Sequence, residues 1–202
     1  ATLGREIDGP NGQKMWLQPD DWDKEAYHNS FRQEYNVSVN GGTDRASYYT
    51  SINYLDDEGV MDHSSYVRLS ARVRADYQAK KWLKLGANIG YVHSKTTSVP
   101  NFGTDLNSTN VMYFTSMMAP IYPVYLRGVD ENGKPYIMRN EAGEKRYDYG
   151  VAATNYGLAR PFTSNANPLG TNNYDNTSQI NNQLSATLTA DINITDYLKF
   201  SA

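Results

Sequence analysis

Three arginines stand at alternating positions of an apolar stretch and are the first candidates for chemistry. Arg68, Arg72 and Arg74 occupy even positions between 67 and 77, where the odd positions are apolar or small. Because alternate side chains of an extended strand point the same way, the three guanidinium groups share one face. They could line the path of a polar substrate. They could also pair with carboxylates such as Glu34 and Asp76, and we favour this structural role.

Aromatic side chains form a second set of candidates, in a long segment that lacks strand alternation. The set comprises Tyr113, Phe114, Tyr122 and Tyr125. Aromatic faces stack on sugar rings and contact partner proteins, and connecting segments often carry such contacts. Packing inside an ordered segment explains the same four residues equally well, and the sequence leaves both roles open.

Motifs for catalysis and metal binding are missing from the sequence. No nucleophile elbow and no phosphate-binding glycine loop is present. The histidines, His28, His63 and His93, have no metal-site spacing, and the chain has no Cys. The acidic segment 130–133 ends in Asn-Gly, which is typical of a hairpin turn. We therefore expect no enzyme, no metal site and no cofactor.

The composition indicates a protein with surfaces between water and an apolar phase. The 202 residues include 17 Tyr and only 5 Phe, and Tyr is common at interfaces and in membrane aromatic belts. A net charge of −3 gives no electrostatic case for nucleic acid. No apolar run approaches the ~18 residues that a membrane helix needs, so a helical membrane protein is excluded.

Long strands with one apolar and one polar face must position these side chains. The alternation runs through 31–40, 46–55, 67–77, 83–91 and 183–194. Most of these runs reach the ~9–11 residues that cross a tilted bilayer, whereas globular strands average ~5–6. We predict that lipid contacts Val37, Val39, Leu69, Val73, Leu184 and Leu188. The residues predicted to face a water-filled lumen are Arg68, Arg72, Arg74 and Glu34.

The connections between these strands alternate between short and long. Short ones lie at 41–45, 79–82 and 195–198, and long ones at 56–65 and 96–176. Transmembrane barrels alternate short periplasmic turns with long external loops. The predicted organisation is a lead-in segment (1–29), four antiparallel barrel strands (30–95), a very long extracellular loop (96–176) and two further strands (177–202), the last truncated.

The predicted fold class is all-β, an antiparallel transmembrane β-barrel segment of about six strands from a larger barrel. A soluble β-sandwich that binds a glycan or mediates adhesion is the alternative, because its strands also alternate between apolar and polar positions.

Several short motifs resemble one family and occur in the family's order. They are FRQEYNVSVNGGTD at 31–44, YLDDEG at 54–59, KKWLKLGAN at 80–88 and MAPIYPVY at 118–125. Together they are similar to recurrent segments of SusC/RagA-type TonB-dependent transporters. The ordered set covers most of the chain.

The resemblance implies a transporter in the outer membrane of a Gram-negative bacterium. Such a transporter has a plugged barrel of about 22 strands, pairs with a SusD-like lipoprotein lid and imports oligosaccharides or peptides with energy from the TonB complex. Six strands cannot close such a barrel, and open sheet edges in lipid would leave backbone groups unsatisfied. We therefore expect the chain to be part of a longer protein.

Overall fold

A computed structural model describes residues 4–8, 12–99, 110–119, 121–151, 160–175, 177–195 and 197–202. The chain divides into two compact units. The sheet unit comprises 30–59, 64–97 and 178–202, and the mixed unit comprises 1–29, 60–63 and 98–177.

The described residues form ten strands and three short helices. In chain order these are β1 (Arg5–Asp8), β2 (Lys14–Leu17), α1 (Trp22–Ala26), β3 (Arg32–Gly42), β4 (Ala46–Glu58), β5 (Ser65–Lys80), β6 (Leu83–Ser98), α2 (Val111–Met117), β7 (Arg127–Val129), β8 (Pro135–Ile137), α3 (Pro168–Thr171), β9 (Thr177–Thr195) and β10 (Leu198–Ser201). None of the described helices is long and apolar enough to cross a membrane.

The sheet unit is one six-stranded sheet in the order β10-β9-β6-β5-β4-β3. The pairs β3–β4, β4–β5, β5–β6 and β9–β10 are antiparallel. This confirms the predicted all-β antiparallel architecture. Within the described residues the sheet ends at β3 on one side and β10 on the other, so the barrel is not closed.

The turn between β3 and β4 fixes the register of the first hairpin. The hydroxyl of Thr43 accepts a hydrogen bond from the amide of Ala46 at 3.2 Å. A Cβ at Gly42 would lie 2.6 Å from the carbonyl oxygen of Ala46, so only glycine fits there. The resulting register pairs Val37 with Ile52 across the two strands, and directly opposed residues share a face.

The central strands are longer than their alternating patterns indicate. β5 and β6 have 16 residues each and β9 has 19. At ~3.3 Å per residue, 16 residues extend for roughly 53 Å, more than the ~30 Å thickness of a hydrocarbon core. The sequence pattern predicts that the first four barrel strands end by residue 95, whereas in the structure β6 continues to Ser98.

The mixed unit contains a four-stranded sheet, β1-β2-β7-β8, and the three helices. Its main core comprises Trp22, Phe114, Met118, Val124, Tyr125 and Ala166. The sequence treats 1–29 as a lead-in and 96–176 as a loop, yet the described residues of both segments share this core. Elements of three to seven residues are too short to show a periodicity, which explains why the pattern misses them.

Replacement of Phe114 by Ala tests whether the mixed unit is a packed body. Phe114 has no exposed surface and its ring lies 5.1 Å from that of Trp22, so the expected cost is ~3–5 kcal/mol of stability. Limited proteolysis of the protein should then cleave this unit much faster. Met112→Ala is the control, because Met112 is 54% exposed on the same helix. Equal cleavage rates for both variants would contradict a packed unit.

Candidate functional site

The apolar face of the six-stranded sheet is exposed. Cross-strand pairing aligns Val39, Val73 and Ile89 through Thr50 in one row, and Val37 and Ile52 in the next. The six residues predicted to face lipid all lie on this face, with exposed fractions between 42% and 74%: Val37, Val39, Leu69, Val73, Leu184 and Leu188. Monomeric soluble proteins rarely expose apolar patches of this extent. The face therefore requires an apolar environment or a partner.

The opposite face of the sheet, here the polar face, carries all four residues predicted to line a lumen. Glu34, Asn53 and Arg68 form one connected group. The amide of Asn53 donates to Glu34 at 2.9 Å, and a guanidinium nitrogen of Arg68 lies 3.8 Å from the Glu34 carboxylate and 3.4 Å from the Asn53 carbonyl. Arg68 thus has the carboxylate partner that its structural role requires.

Arg72 and Arg74 differ in their partners on the polar face. Arg74 pairs with Asp76 at 3.1 Å, and Lys84 lies 3.6 Å from the same carboxylate. Arg72 donates instead to the side-chain carbonyl of Asn88 at 3.1 Å. Among the described residues Arg72 has no carboxylate partner. It lines a trough of about 390 Å³ whose other walls are mostly polar or small residues, including Asn36, Ser51, Ser70, Gln183 and Ser185.

The four aromatic candidates divide into buried and partly exposed residues. Phe114 is fully buried and Tyr125 is 6% exposed, and both belong to the main core of the mixed unit. Tyr113 and Tyr122 are half-buried. Phe114 therefore offers no surface to a ligand, whereas Tyr113 and Tyr122 do.

A cavity of about 160 Å³ lies in the mixed unit beside Tyr122. Its walls are mostly apolar and include Met15, Leu17, Ile121 and Leu126. The buried guanidinium group of Arg160 also lines it. The cavity is large enough for one apolar side chain or a small ring.

An ion pair that the sequence analysis missed organises the mixed unit. A guanidinium nitrogen of Arg127 lies 2.6 Å from the carboxylate of Asp20, and both side chains are about 90% buried. Asp20 also accepts a hydrogen bond from the amide of Val124 at 2.7 Å. The two partners are 107 positions apart. No local pattern therefore links them.

Arg160 and Asn167 are further buried polar residues of the mixed unit. Arg160 donates to the carbonyl oxygen of Ala166 at 2.5 Å, and its guanidinium lies 5.5 Å from the ring of Phe114. Asn167 is fully buried and donates to the carbonyl oxygens of Val124 and Asp148. These bonds satisfy carbonyl groups that the short elements leave unpaired.

Burial shifts the titration of three groups in the mixed unit. It raises the pKa of Tyr125, and the hydrogen bond that Tyr125 donates to Glu25 raises it further. Burial also raises the pKa of Tyr147 and lowers the pKa of Arg160. Both tyrosines therefore stay neutral at physiological pH. The hydroxyl of Tyr125 donates to Glu25, and the hydroxyl of Tyr147 accepts from the side-chain amide of Asn173. Among the described residues no group of three His, Asp or Glu side chains is arranged to hold a metal.

The known proteins that resemble this chain in sequence are of one kind, TonB-dependent receptors. No family model matches the chain. The chain is similar to "TonB-dependent receptor SusC" of Bacteroides thetaiotaomicron, with 29% identity over 76 residues, which are 37% of this chain and 8% of that protein. It is also 34% identical over 55 residues to "TonB-dependent receptor P26" of Formosa agariphila, covering 27% of this chain and 6% of that protein. The matches thus span less than a tenth of these relatives.

Solved structures agree with the sequence relatives. The structure of the RagAB peptide transporter matches with a TM-score of 0.61 and 22% identity over 89% of this chain and 18% of that chain. The RagAB peptide importer in its "closed-closed" state matches with a TM-score of 0.58 and 21% identity over 95% of this chain and 18% of that chain. These likenesses show a shared fold. The resemblance to SusC/RagA-type proteins that the motifs predict is confirmed, and these relatives are receptors and importers rather than enzymes.

Asp20→Asn tests the buried ion pair of the mixed unit. The variant leaves Arg127 buried without a charged partner, so the expected loss of stability is ~3–5 kcal/mol. Chemical denaturation, monitored through the susceptibility of the mixed unit to protease, measures this loss of stability. Asp175→Asn is the matched control, because Asp175 is exposed. An Asp20→Asn variant as resistant as the control would show that the pair is dispensable.

Proposed function

Because the chain resembles SusC/RagA-type TonB-dependent receptors in both sequence and fold, we propose that it forms part of the barrel wall of an outer-membrane nutrient importer. The observation that carries the proposal is the exposed apolar face of the sheet. Five long strands of 11 to 19 residues each form this face. Lipid contact removes this face from water. The polar face then lines the lumen.

The polar face has the properties that a lumen wall needs. Its charged side chains are largely compensated within the sheet, as in the pairs Arg68–Glu34 and Arg74–Asp76. Arg72 and the trough around it remain available to a polar group that enters the lumen. We propose that this trough, rather than the paired Arg68 and Arg74, contacts the plug or a substrate.

The mixed unit contributes the long connection between β6 and β9, and we assign that connection to the cell surface. The placement follows from the alternation of short and long connections, since barrels carry their long loops outside. An ordered surface unit suits contact with a partner protein. We propose a SusD-like lipoprotein lid as this partner and Tyr113 and Tyr122 as the aromatic residues that remain exposed enough to contact it or a substrate.

The substrate class that we propose is an oligosaccharide or a peptide, with energy supplied by the TonB complex. Support comes from the relatives, one of which is described as a peptide importer. Deletion of the gene in the source bacterium should abolish growth on one class of oligosaccharide or peptide as sole nutrient. Loss of TonB should reproduce the defect. Normal growth on every such nutrient would remove the import proposal.

Arginine scanning of β9 tests the lipid-facing assignment. Leu184→Arg places a charge near the middle of the apolar face, where it should cost ~2–4 kcal/mol and reduce the amount of heat-modifiable protein in outer membranes. Thr187→Arg is the matched control on the polar face of the same strand, and it should assemble normally. Equal assembly of the two variants would refute lipid contact. A soluble, folded wild-type product would favour the binding-module alternative.

A further inference from the structure

The apolar face carries formal charge only near its two ends, and at the end beside the short turns this charge is Lys80, which pairs opposite Leu83. From the row of Leu69 to the row of Leu85, the residues that face this side include no Asp, Glu, Lys or Arg in β3 to β6 or in β9. Beyond Leu69 the same face has Asp56, Glu58 and Lys95. This end adjoins the two long connections, and the opposite end adjoins the short turns.

A hydrogen-bonded group of three side chains lies at the same end. The hydroxyl of Tyr91 donates to the side-chain oxygen of Asn182 at 2.9 Å. A ring nitrogen of His93, Nδ1, lies 2.7 Å from the same oxygen. Because an amide oxygen only accepts, Nδ1 of His93 must be the donor. The amide nitrogen of Asn182 and Nε2 of His93 have no further partner among the described residues.

These uncommitted polar groups fix the depth at which this end can lie. In hydrocarbon an amide N–H without a partner is strongly unfavourable, so Asn182 must reach the headgroup layer. From Lys95 to Leu85 is ten residues, or roughly 33 Å along the strand, and about 25 Å along the membrane normal at a tilt of ~40°. That height matches the apolar band of a barrel. Tyr35 and Tyr54 lie on β3 and β4 in the same cross-strand row as Leu69 and His93.

Lys95 supplies the positive charge of the group. It lies two positions beyond His93 on the same face, is exposed, and has no ion pair among the described residues. The nearest carboxylate in its row, Asp56, is two strands away, roughly 10 Å. Asp56 already accepts hydrogen bonds from Gln33 and Tyr54. A cation beside the free amide N–H of Asn182 suits a phosphate group.

We propose that Lys95, His93, Tyr91 and Asn182 form a binding site for a phosphate-bearing lipid headgroup of the outer leaflet. The site rests on the proposed function, because it requires the apolar face to contact lipid. The headgroup phosphate contacts Lys95 and the amide of Asn182. The acyl chains of the lipid then lie along Leu184 and its apolar neighbours.

Lipid retention by the purified protein tests this site. The full protein that carries this sequence is purified from outer membranes and reconstituted in phosphatidylcholine vesicles that contain either diphosphoryl lipid A or dephosphorylated lipid A. After re-extraction, lipid A per protein is measured by native mass spectrometry. Wild type should retain the diphosphoryl form preferentially, and Lys95→Gln combined with Asn182→Ala should retain about fivefold less.

Two further variants separate charge from folding. Lys95→Arg keeps the positive charge and should retain lipid as wild type does. Lys84→Gln removes a lysine of the polar face and should leave the retention of lipid A unchanged. Equal retention of both lipid A forms by wild type, or wild-type retention by the double variant, would overturn the site.

Two further questions are tested separately: whether the bound phosphate belongs to a lipid or to a free anion, and whether the protein is located in the outer membrane. Inorganic phosphate should fail to displace the lipid, and displacement would identify a free-anion site and overturn the proposal. Recovery of wild type from outer membranes, together with a failed retention experiment, would reject this site alone. Absence of the protein from outer membranes would reject the proposed function as well.

Discussion

The antiparallel register of the six-stranded sheet is the constraint on which the rest of the structure depends. Side chains alternate with a period of two, so a slip of one residue would exchange the apolar and polar faces. The tight turn after Gly42 and the continuous ladders from β3 to β6 prevent such a slip. One backbone register thus determines which side chains form the apolar face of the sheet and which form the polar face.

The packing of the mixed unit depends on a different constraint, namely that its buried polar groups must find hydrogen-bond partners. Its strands and helices are too short to pair most of their own backbone groups, so side chains complete the hydrogen bonding. Asp20 binds Arg127 and the amide of Val124, and Asn167 binds two backbone carbonyl groups from the interior. Such groups are costly when unpaired, which gives this irregular segment one specific packing.

The two faces of the sheet suit the wall of the importer that we propose. A wall between lipid and water needs opposite chemistry on its two sides, and alternation supplies it without further elements. On the polar side, internal ion pairs compensate most charges and leave Arg72 with only an amide partner. On the apolar side, the polar group around Asn182 lies where the hydrocarbon would end in the importer that we propose. Both sites that we propose therefore lie where the regular pattern of side chains is broken.

The sequence by itself determined the strands, their two faces and the family resemblance, because period-two alternation is a local property that long strands repeat many times. It also placed Val37, Val73 and Leu188 on one face and Glu34 and Arg72 on the other. Only the tertiary structure revealed that the described parts of 1–29 and 96–176 share a core, and that this core buries Phe114 and Tyr125. The contacts between Asp20 and Arg127, and between His93 and Asn182, join residues about ninety or more positions apart. Their partners are chosen by three-dimensional packing, and no spacing in the chain encodes that choice.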